Sequence, residues 1–330
     1  MSPATTCKAV RVHTHGGPEV LEYDDVAVAD PAPGEIRIRH TAIGLNFIDV
    51  YMRTGLYPLP TLPAVIGLEG AGVVDAVGEG VENLSIGDRV AYASQPPGAY
   101  AQLRTISTER VVKIPDAVED KTAAAMMLQG LTAQYLLRQT YRVQAGDTIL
   151  MHAAAGGVGL IVCQWAKHLG ATVIGTVGNV EKADLAKAHG CDHTILYREE
   201  NFKDRVMELT DGRGVNVVYD SIGKDTFMDS LGCLKTLGTM VTYGNASGPV
   251  EPFQPALLGK MGSLFLTRPS LFDYIAEREN LTAMADELFG VVSTGVVKIE
   301  VHQEYPLSSA SQAHMDLEAR NTTGSTVLIP

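Results

Sequence analysis

Thr148-Ile149-Leu150-Met151-His152-Ala153-Ala154-Ala155-Gly156-Gly157-Val158-Gly159-Leu160 reads as an apolar strand, a glycine-rich turn and the start of a helix. Against the pattern GxGxxG, Ala154 stands at the first glycine, and Gly156 and Gly159 stand at the second and third. Gly156 lets the backbone approach a pyrophosphate, and Gly159 lets helix and strand pack closely. A helix beginning near Val158 offers N–H donors and a partial positive charge to an anion. A turn that merely joins strand to helix is the competing reading. The second apolar strand, ATVIGTVG, which follows Gly170 at the expected distance, favours a dinucleotide site.

Outward from this turn, residues 126–265 alternate strand and helix. After LIVCQWAKHLG, closed by Gly170, and ATVIGTVG come a helix EKADLAKAHG, a strand HTILY and a helix NFKDRVMELT. The strand GVNVVYDSIG, the helix DTFMDSLGCL and the strand GTMVTYGN complete the series. Apolar strands without alternation, separated by helices, predict a doubly wound parallel sheet of Rossmann type. TILMHAAA is expected to be its first strand. Residues 1–125 read differently, as the short strands VRVH, EIRIRHTAI, AGVVDAVG, DRVAYA and RVVKIP, punctuated by Gly and Pro. They predict a mainly-β, barrel-like domain. Residues 266–330 return to mixed texture and are expected to rejoin it, so that the parallel-sheet domain is an insertion.

Composition narrows the function classes. A net charge of −12 leaves no basic surplus for nucleic acid or an anionic membrane surface. MSPATTCKAV lacks a signal-peptide apolar core, and no apolar run reaches the roughly 20 residues that span a bilayer. Cys7, Cys163, Cys191 and Cys233 stand far apart, as expected of reduced thiols in the cytoplasm. His189-Gly190-Cys191-Asp192-His193 mimics a metal cluster but reads as a polar turn between elements. His13 and His15 read as solvent-facing on a strand. Ser221, in YDSIG, lacks the flanking glycine of a nucleophile elbow.

The second strand bears on the choice of nicotinamide. An NAD site places Asp or Glu about 20 residues beyond the turn, on the ribose 2′-hydroxyl. Here Thr176-Val177-Gly178-Asn179 supplies no carboxylate, which leaves room for a 2′-phosphate and favours NADPH. Lys182 is within reach of that phosphate, or else is a solvated helix lysine paired with Glu181 or Asp184.

Several blocks, in order, carry a resemblance: HGGPEVLEY, GLNFIDVYMRTGLYP, GLEGAGVVDAVG, GDRVAYA, HAAAGGVGLIVCQWAKHLGATVIGTVG, YREE, VVYDSIG, SLFLTRPSL and STVLIP. Over almost its whole length the chain resembles the medium-chain dehydrogenase/reductase superfamily, and within it the quinone oxidoreductase (zeta-crystallin-like) family. The resemblance implies a GroES-like substrate domain, a Rossmann-type cofactor domain, a homodimer and NADPH-dependent reduction of a quinone. Zinc-dependent relatives place a cysteine ligand where this chain has Asn46 and a histidine where it has Leu68. The relatives' lobe of closely spaced structural cysteines is also missing. No metal is therefore expected.

The resemblance places Asn46, Asp49 and Tyr51 in the cleft beside the nicotinamide as candidate catalytic residues, with Asn46 also touching the cofactor. Around NADPH it places Thr132, Tyr135, Gly156, Gly157 and Val158. Gly178, Asn179, Lys182 and Tyr197 belong to the adenosine ribose and its phosphate, and Ser221, Tyr243, Gly244 and Asn245 to the strand ends. Leu266, Thr267 and Arg268 belong to the carboxamide, and Arg320, on a C-terminal helix, is a further candidate. Gln129 departs from a common lysine and Tyr243 from a common phenylalanine. Reduction of activated C=C bonds (2-alkenals, enoyl thioesters) is an alternative, as is a non-catalytic structural or RNA-binding role. GSLFLT is a candidate edge strand for subunit pairing.

Overall fold

The computed structural model describes residues 5–330. The opening residues of MSPATTCKAV, and so of the 1–125 segment, lie outside the described residues. Strand β1 (Thr5–Val12) pairs antiparallel with β2 (Leu21–Val28), and its end pairs with β4 (Ala64–Val65), making a three-stranded sheet. The second sheet is built around β3 (Glu35–Leu45), which pairs antiparallel with β5 (Glu69–Val77) and β7 (Leu103–Ser107). Beyond β5 lie β6 (Arg89–Ala93) and β8 (Val112–Lys113). RVVKIP thus contributes only a short strand, because Thr108–Arg110 is a tight helical turn whose cap is the Ser107 hydroxyl. Helix α1 (Phe47–Thr54) leaves β3 directly, and α2 (Asp120–Ala124) and α3 (Met127–Tyr135) follow the strands.

The inserted sheet begins with β9 (Thr148–Met151), α4 (Gly157–His168), β10 (Thr172–Val177), α5 (Val180–Ala188) and β11 (His193–Leu196). It continues with α6 (Phe202–Leu209), β12 (Val215–Asp220), α7 (Phe227–Gly232), β13 (Leu234–Thr242), α8 (Ala256–Lys260) and β14 (Phe265–Thr267). All neighbours are parallel, in the order β11-β10-β9-β12-β13-β14. This is the doubly wound order, with its switch point between β9 and β12. Leu150, Ile174, Val218 and Met240 pack on Phe202, Val206, Phe227 and Leu231 of α6 and α7. The alternate residues Ile149, Val173 and Val217 are fully buried as well, so both faces of the sheet are covered. That is why these strands show no alternation in sequence.

TILMHAAA is a strand only as far as Met151. Ala153 takes a left-handed backbone, φ 54°, which ends the extended run. The chain continues through α9 (Leu271–Tyr274) and α10 (Arg278–Ser293) to β15 (Val301–Pro306), α11 (Ala310–Glu318) and β16 (Ser325–Ile329). β16 pairs antiparallel with β3, Val327 opposite Gly44, so the C-terminal segment completes the GroES-like domain. Its core gathers Ile36, Ile38, Ile43, Tyr92, Tyr100 and Leu328, with Ala310 and Ala313 from α11.

Two compact units result. One comprises the chain up to Leu131 with Ile275–Phe289 and Ile299–Pro330, and the other comprises Thr132–Tyr274 with Gly290–Lys298. The parallel-sheet unit thus starts at Thr132, not at 126, and takes 266–274 and 290–298 from the 266–330 segment expected to rejoin the GroES-like domain. A local reason is visible at Lys298, whose backbone N–H and carbonyl bond the two ends of the Gln164 amide on α4, at 2.9 and 3.0 Å.

Candidate active site

In the parallel-sheet unit the glycine turn follows β9, beside the switch point. Gly156 is the N-cap of α4, and Gly157 and Val158 open its first turn. The N–H groups of Gly157 and Val158 have no helical carbonyl to bond and are available to an anion. Gly156 N–H donates to Ala153 O at 2.9 Å, and Ala154 N–H donates to Thr176 O at 3.1 Å, which ties the turn to β10. A Cβ on Gly159 would lie 2.3 Å from Ala153 O, so this glycine sets how closely α4 approaches the turn. The residue with left-handed backbone is Ala153 and not Ala154, the position aligned with the first glycine.

Beneath the turn His152 is buried, with Nδ1 2.9 Å from Thr176 Oγ1 and Nε2 2.9 Å from Ser230 Oγ. Asp220, at the end of β12, accepts from Ile222 and Gly223 N–H and from the Thr226 hydroxyl. Neither residue was singled out from sequence, because each finds its role in bonds to other strands and loops.

The remaining candidates of this unit gather at the C-terminal ends of strands, where ligands of open parallel sheets bind. Gly178 and Asn179 follow β10; Asn179 caps α5 by accepting from Lys182 N–H at 2.9 Å. A Cβ on Gly178 would lie 3.1 Å from the Tyr197 hydroxyl, so these two residues adjoin. Ser221 follows β12, and Tyr243, Gly244 and Asn245 follow β13. Gly244 is pressed against Ser221, leaving no room for a side chain (Cβ to Ser221 O, 2.4 Å). Leu266 and Thr267 lie on β14, and the Arg268 guanidinium donates to Thr242 O at 3.1 Å. Thr132 and Tyr135 are buried on α3, and Tyr135 stacks on Tyr274 with centroids 4.5 Å apart.

In the GroES-like unit, Asn46 is the N-cap of α1 and is buried. Asp49, at the third helical position, reaches back to accept from Asn46 N–H at 2.9 Å, as in a capping box. The Asn46 side chain also has partners outside its helix. Its Nδ2 donates to Glu69 Oε2 at 2.6 Å, and its Oδ1 accepts from Gln129 Nε2 at 3.1 Å. Gln129 Oε1 accepts from the Ser325 hydroxyl at 2.8 Å, and Glu69 Oε1 accepts from Leu128 N–H at 2.8 Å. The Asn46 amide is therefore clamped by groups from β5, α3 and β16. Burial raises Glu69 to about 8 and Asp49 to about 7. Tyr51 packs among Phe47 and Tyr57, with centroids 5.6 and 5.1 Å away.

Some expectations need correction. Arg320 does not lie on a helix: α11 ends at Glu318, and Arg320 follows in left-handed backbone, φ 60°, with its N–H on Leu317 O. β1 ends at Val12, so His13 and His15 lie beyond it. The His13 ring lies 2.7 Å from Asp24, with Glu22 close enough for the three to form an exposed ligand cluster. The His15 ring lies 3.2 Å from Arg53 O. The side chains of the His189–His193 turn have separate partners. His189 Nδ1 meets Leu185 O, Cys191 Sγ meets His193 O, and Asp192 pairs with Lys167.

A doubly wound nucleotide-type sheet inserted into a GroES-like unit defines the medium-chain dehydrogenase/reductase class. Residues 32–116 match the alcohol dehydrogenase GroES-like domain and residues 157–288 match the zinc-binding dehydrogenase family. The chain is 55% identical to a quinone oxidoreductase of Pseudomonas aeruginosa, over 98% of this chain and 99% of that one. The crystal structure of Escherichia coli quinone oxidoreductase complexed with NADPH superposes with a TM-score of 0.96 at 49% identity, covering 99% of this chain and all of that one. A 2-haloacrylate reductase of a Burkholderia species is 46% identical over 98% of each chain. The chain belongs to the quinone oxidoreductase family.

Proposed function

We propose that this protein is an NADPH-dependent quinone reductase. The observation that carries this reading is the 55% identity, end to end, with a quinone oxidoreductase. The nucleotide half of the site suits NADPH. Gly156 leaves its surroundings open to a diphosphate, with only Ala153 O near its missing Cβ, at 3.2 Å. The segment after β10 carries Gly178 and Asn179 with no carboxylate, and Lys182 follows one turn into α5. Gly156, Gly157 and Val158 would hold the diphosphate, and Asn179, Lys182 and Tyr197 the 2′-phosphate. Thr132, Tyr135, Ser221, Tyr243, Gly244, Asn245, Leu266, Thr267 and Arg268 serve the rest of the nucleotide. When bound, NADPH supplies the hydride, and the second hydrogen of the hydroquinone arrives as a proton. Asn46, Asp49 and Tyr51 are the proposed catalytic residues: Asn46 as a clamped amide, Asp49 as its anchor, Tyr51 as an aromatic surface for a quinone ring.

The reaction is proposed to be zinc-independent, although one matching family is described as zinc-binding. Asn46 and Leu68 stand where a thiolate and an imidazole are needed, and both Glu69 oxygens already accept hydrogen bonds. A homodimer joined along β14 is the proposed assembly, since this edge strand leaves Phe265 61% exposed. A cytoplasmic location without nucleic-acid or membrane partners accords with the net charge of −12 and four unpaired buried cysteines. Among the described residues, no helix is long and apolar enough to cross a membrane.

The similarity to a 2-haloacrylate reductase favours a second reading, reduction of an activated C=C bond. Chelator-treated protein, assayed with NADPH against 1,4-benzoquinone, 9,10-phenanthrenequinone, 2-hexenal and 2-chloroacrylate, separates the two. Quinone turnover that survives chelation is expected. Turnover confined to the alkenal or the haloacrylate reverses the assignment. In the same preparation, Lys182→Ala is expected to weaken NADPH at least tenfold and NADH little, as loss of a cation facing a phosphate requires. Equal affinity of the wild type for both nucleotides rules out a phosphate site at Lys182.

A further inference from the structure

Asp49 is fully buried, and its Oδ1 has no hydrogen-bond partner. Its Oδ2 accepts from Asn46 N–H and, at 3.0 Å, from the Tyr100 hydroxyl. The Tyr100 oxygen lies 3.1 Å from His314 Nε2, and His314 Nδ1 lies 3.1 Å from Arg53 Nη1. A guanidinium has donors only. His314 Nδ1 therefore accepts, and its single proton sits on Nε2. That proton points to Tyr100, whose own hydrogen is committed to Asp49. All bonds in the row run in one direction, from cation to carboxylate. Burial, together with the Arg53 charge, lowers His314 to about 3, so the imidazole stays neutral. Arg53, itself buried, also donates to Gly16 O at 3.1 Å and is balanced by the Glu318 carboxylate at 2.8 Å.

We propose that Arg53, His314 and Tyr100 are positioning residues that favour the ionised form of Asp49 against burial, and through it hold the N-cap Asn46 in place for quinone reduction. This rests on the reading of Asn46 as an active-site residue. The row places the positive ends of aligned bonds on Oδ2, which opposes the desolvation that favours the protonated acid. Ionised Asp49 accepts from Asn46 N–H. A protonated Asp49 grips that N–H less tightly and leaves Asn46 less well placed. The charged and titratable groups around Asp49 are Arg53 on its own helix, Glu69 on β5, Tyr100 in the segment before β7, and His314 and Glu318 on α11. Burial is what opposes ionisation of Asp49; Glu69, raised to about 8 chiefly by burial, is itself pushed up by Asp49.

The first test is the tautomer. In nucleotide-free protein with 15N-labelled histidine, His314 is expected as the neutral Nε2–H form from pH 5 to 9. An Nδ1–H form, or a titrating imidazolium, overturns the direction of the row. The second test is kinetic. Tyr100→Phe removes one donor from Asp49 and is expected to move the acid limb of kcat/KM upward by about one pH unit, roughly a tenfold loss on that limb. His314→Gln keeps an acceptor toward Arg53 and a donor toward Tyr100, and is expected to retain the wild-type profile. His314→Leu should behave like Tyr100→Phe. An unmoved profile in Tyr100→Phe, or equal losses in the two His314 variants, overturns the proposal. A wild type that reduces no quinone overturns both the functional reading and the role of the row. The tautomer spectrum tells that failure apart from a row wired differently.

Discussion

Glu69 Oε2 accepts a 2.6 Å hydrogen bond from the Asn46 side-chain amide, and the same carboxylate accepts from Leu128 N–H. Neither partner carries a charge. Burial therefore dominates and raises the group from 4.5 to about 8. The sign of the consequence is fixed by linkage. The folded protein keeps a proton on Glu69 that the unfolded chain releases near pH 4.5. This stabilisation is complete below that pH and disappears as pH rises to about 8. Asp49, raised from 3.8 to about 7, acts in the same direction. The thermal midpoint is thus expected to fall between pH 5 and pH 8. Glu69→Gln, which mimics the protonated acid, should flatten that slope. An equally steep fall in the variant would show that another group titrates there.

The same carboxylate constrains Gly44 on β3. A Cβ there would lie 2.1 Å from Glu69 Oε2 and 2.4 Å from Ala124 O. A side-chain end can rotate away, but a backbone carbonyl can move only with α2. Gly44→Ala is expected to destabilise the protein by about 3 kcal/mol, the upper part of the usual overpacking range, and to displace Glu69 from Asn46. Chemical denaturation checks the first effect. A midpoint equal to the wild type would mean that α2 yields without cost.

The parallel sheet was legible because each strand lies in a two-sided interior, so TILM and ATVIGTV show no polar–apolar alternation, and the helix ending at His168 is closed by Gly170. The strand ends followed from that order, which is why Gly178, Ser221 and Tyr243 were found near them. The clamp on Asn46 was legible only at Asn46 and Asp49, where local spacing along α1 carries the signal. Glu69 was hidden inside a glycine motif read for its missing histidine. Tyr100, His314 and Ser325 lie far from residue 46 in sequence; the backbone bonds of Tyr100 to Val10 and Ile66, the pairing of β16 with β3 and the packing of α11 bring their segments into the same unit. Arg53 has the sequence signature of an exposed helix-terminal cation, but its buried guanidinium is compensated by Glu318. The left-handed Ala153 broke TILMHAAA short, and no periodicity marks a single residue of that kind.

That residue frames the test of the turn. A left-handed alanine costs roughly 1 kcal/mol, and the turn keeps it because Ala153 O is held by Gly156 N–H while α4 packs against it through Gly159. Gly159→Ala would put a methyl 2.3 Å from Ala153 O and 2.7 Å from Ala154 O, both backbone atoms, so the helix must lift from the turn. The variant is expected to lose thermal stability and NADPH affinity together. Gly156→Ala differs. Its φ of −82° suits any residue, and its new Cβ meets only Ala153 O, at 3.2 Å. The fold should survive with a nearly unchanged thermal midpoint, while the methyl obstructs the approach of the diphosphate and weakens NADPH at least tenfold. Fluorescence titration beside thermal unfolding separates the two variants. Wild-type NADPH affinity in Gly156→Ala would move the diphosphate away from this turn.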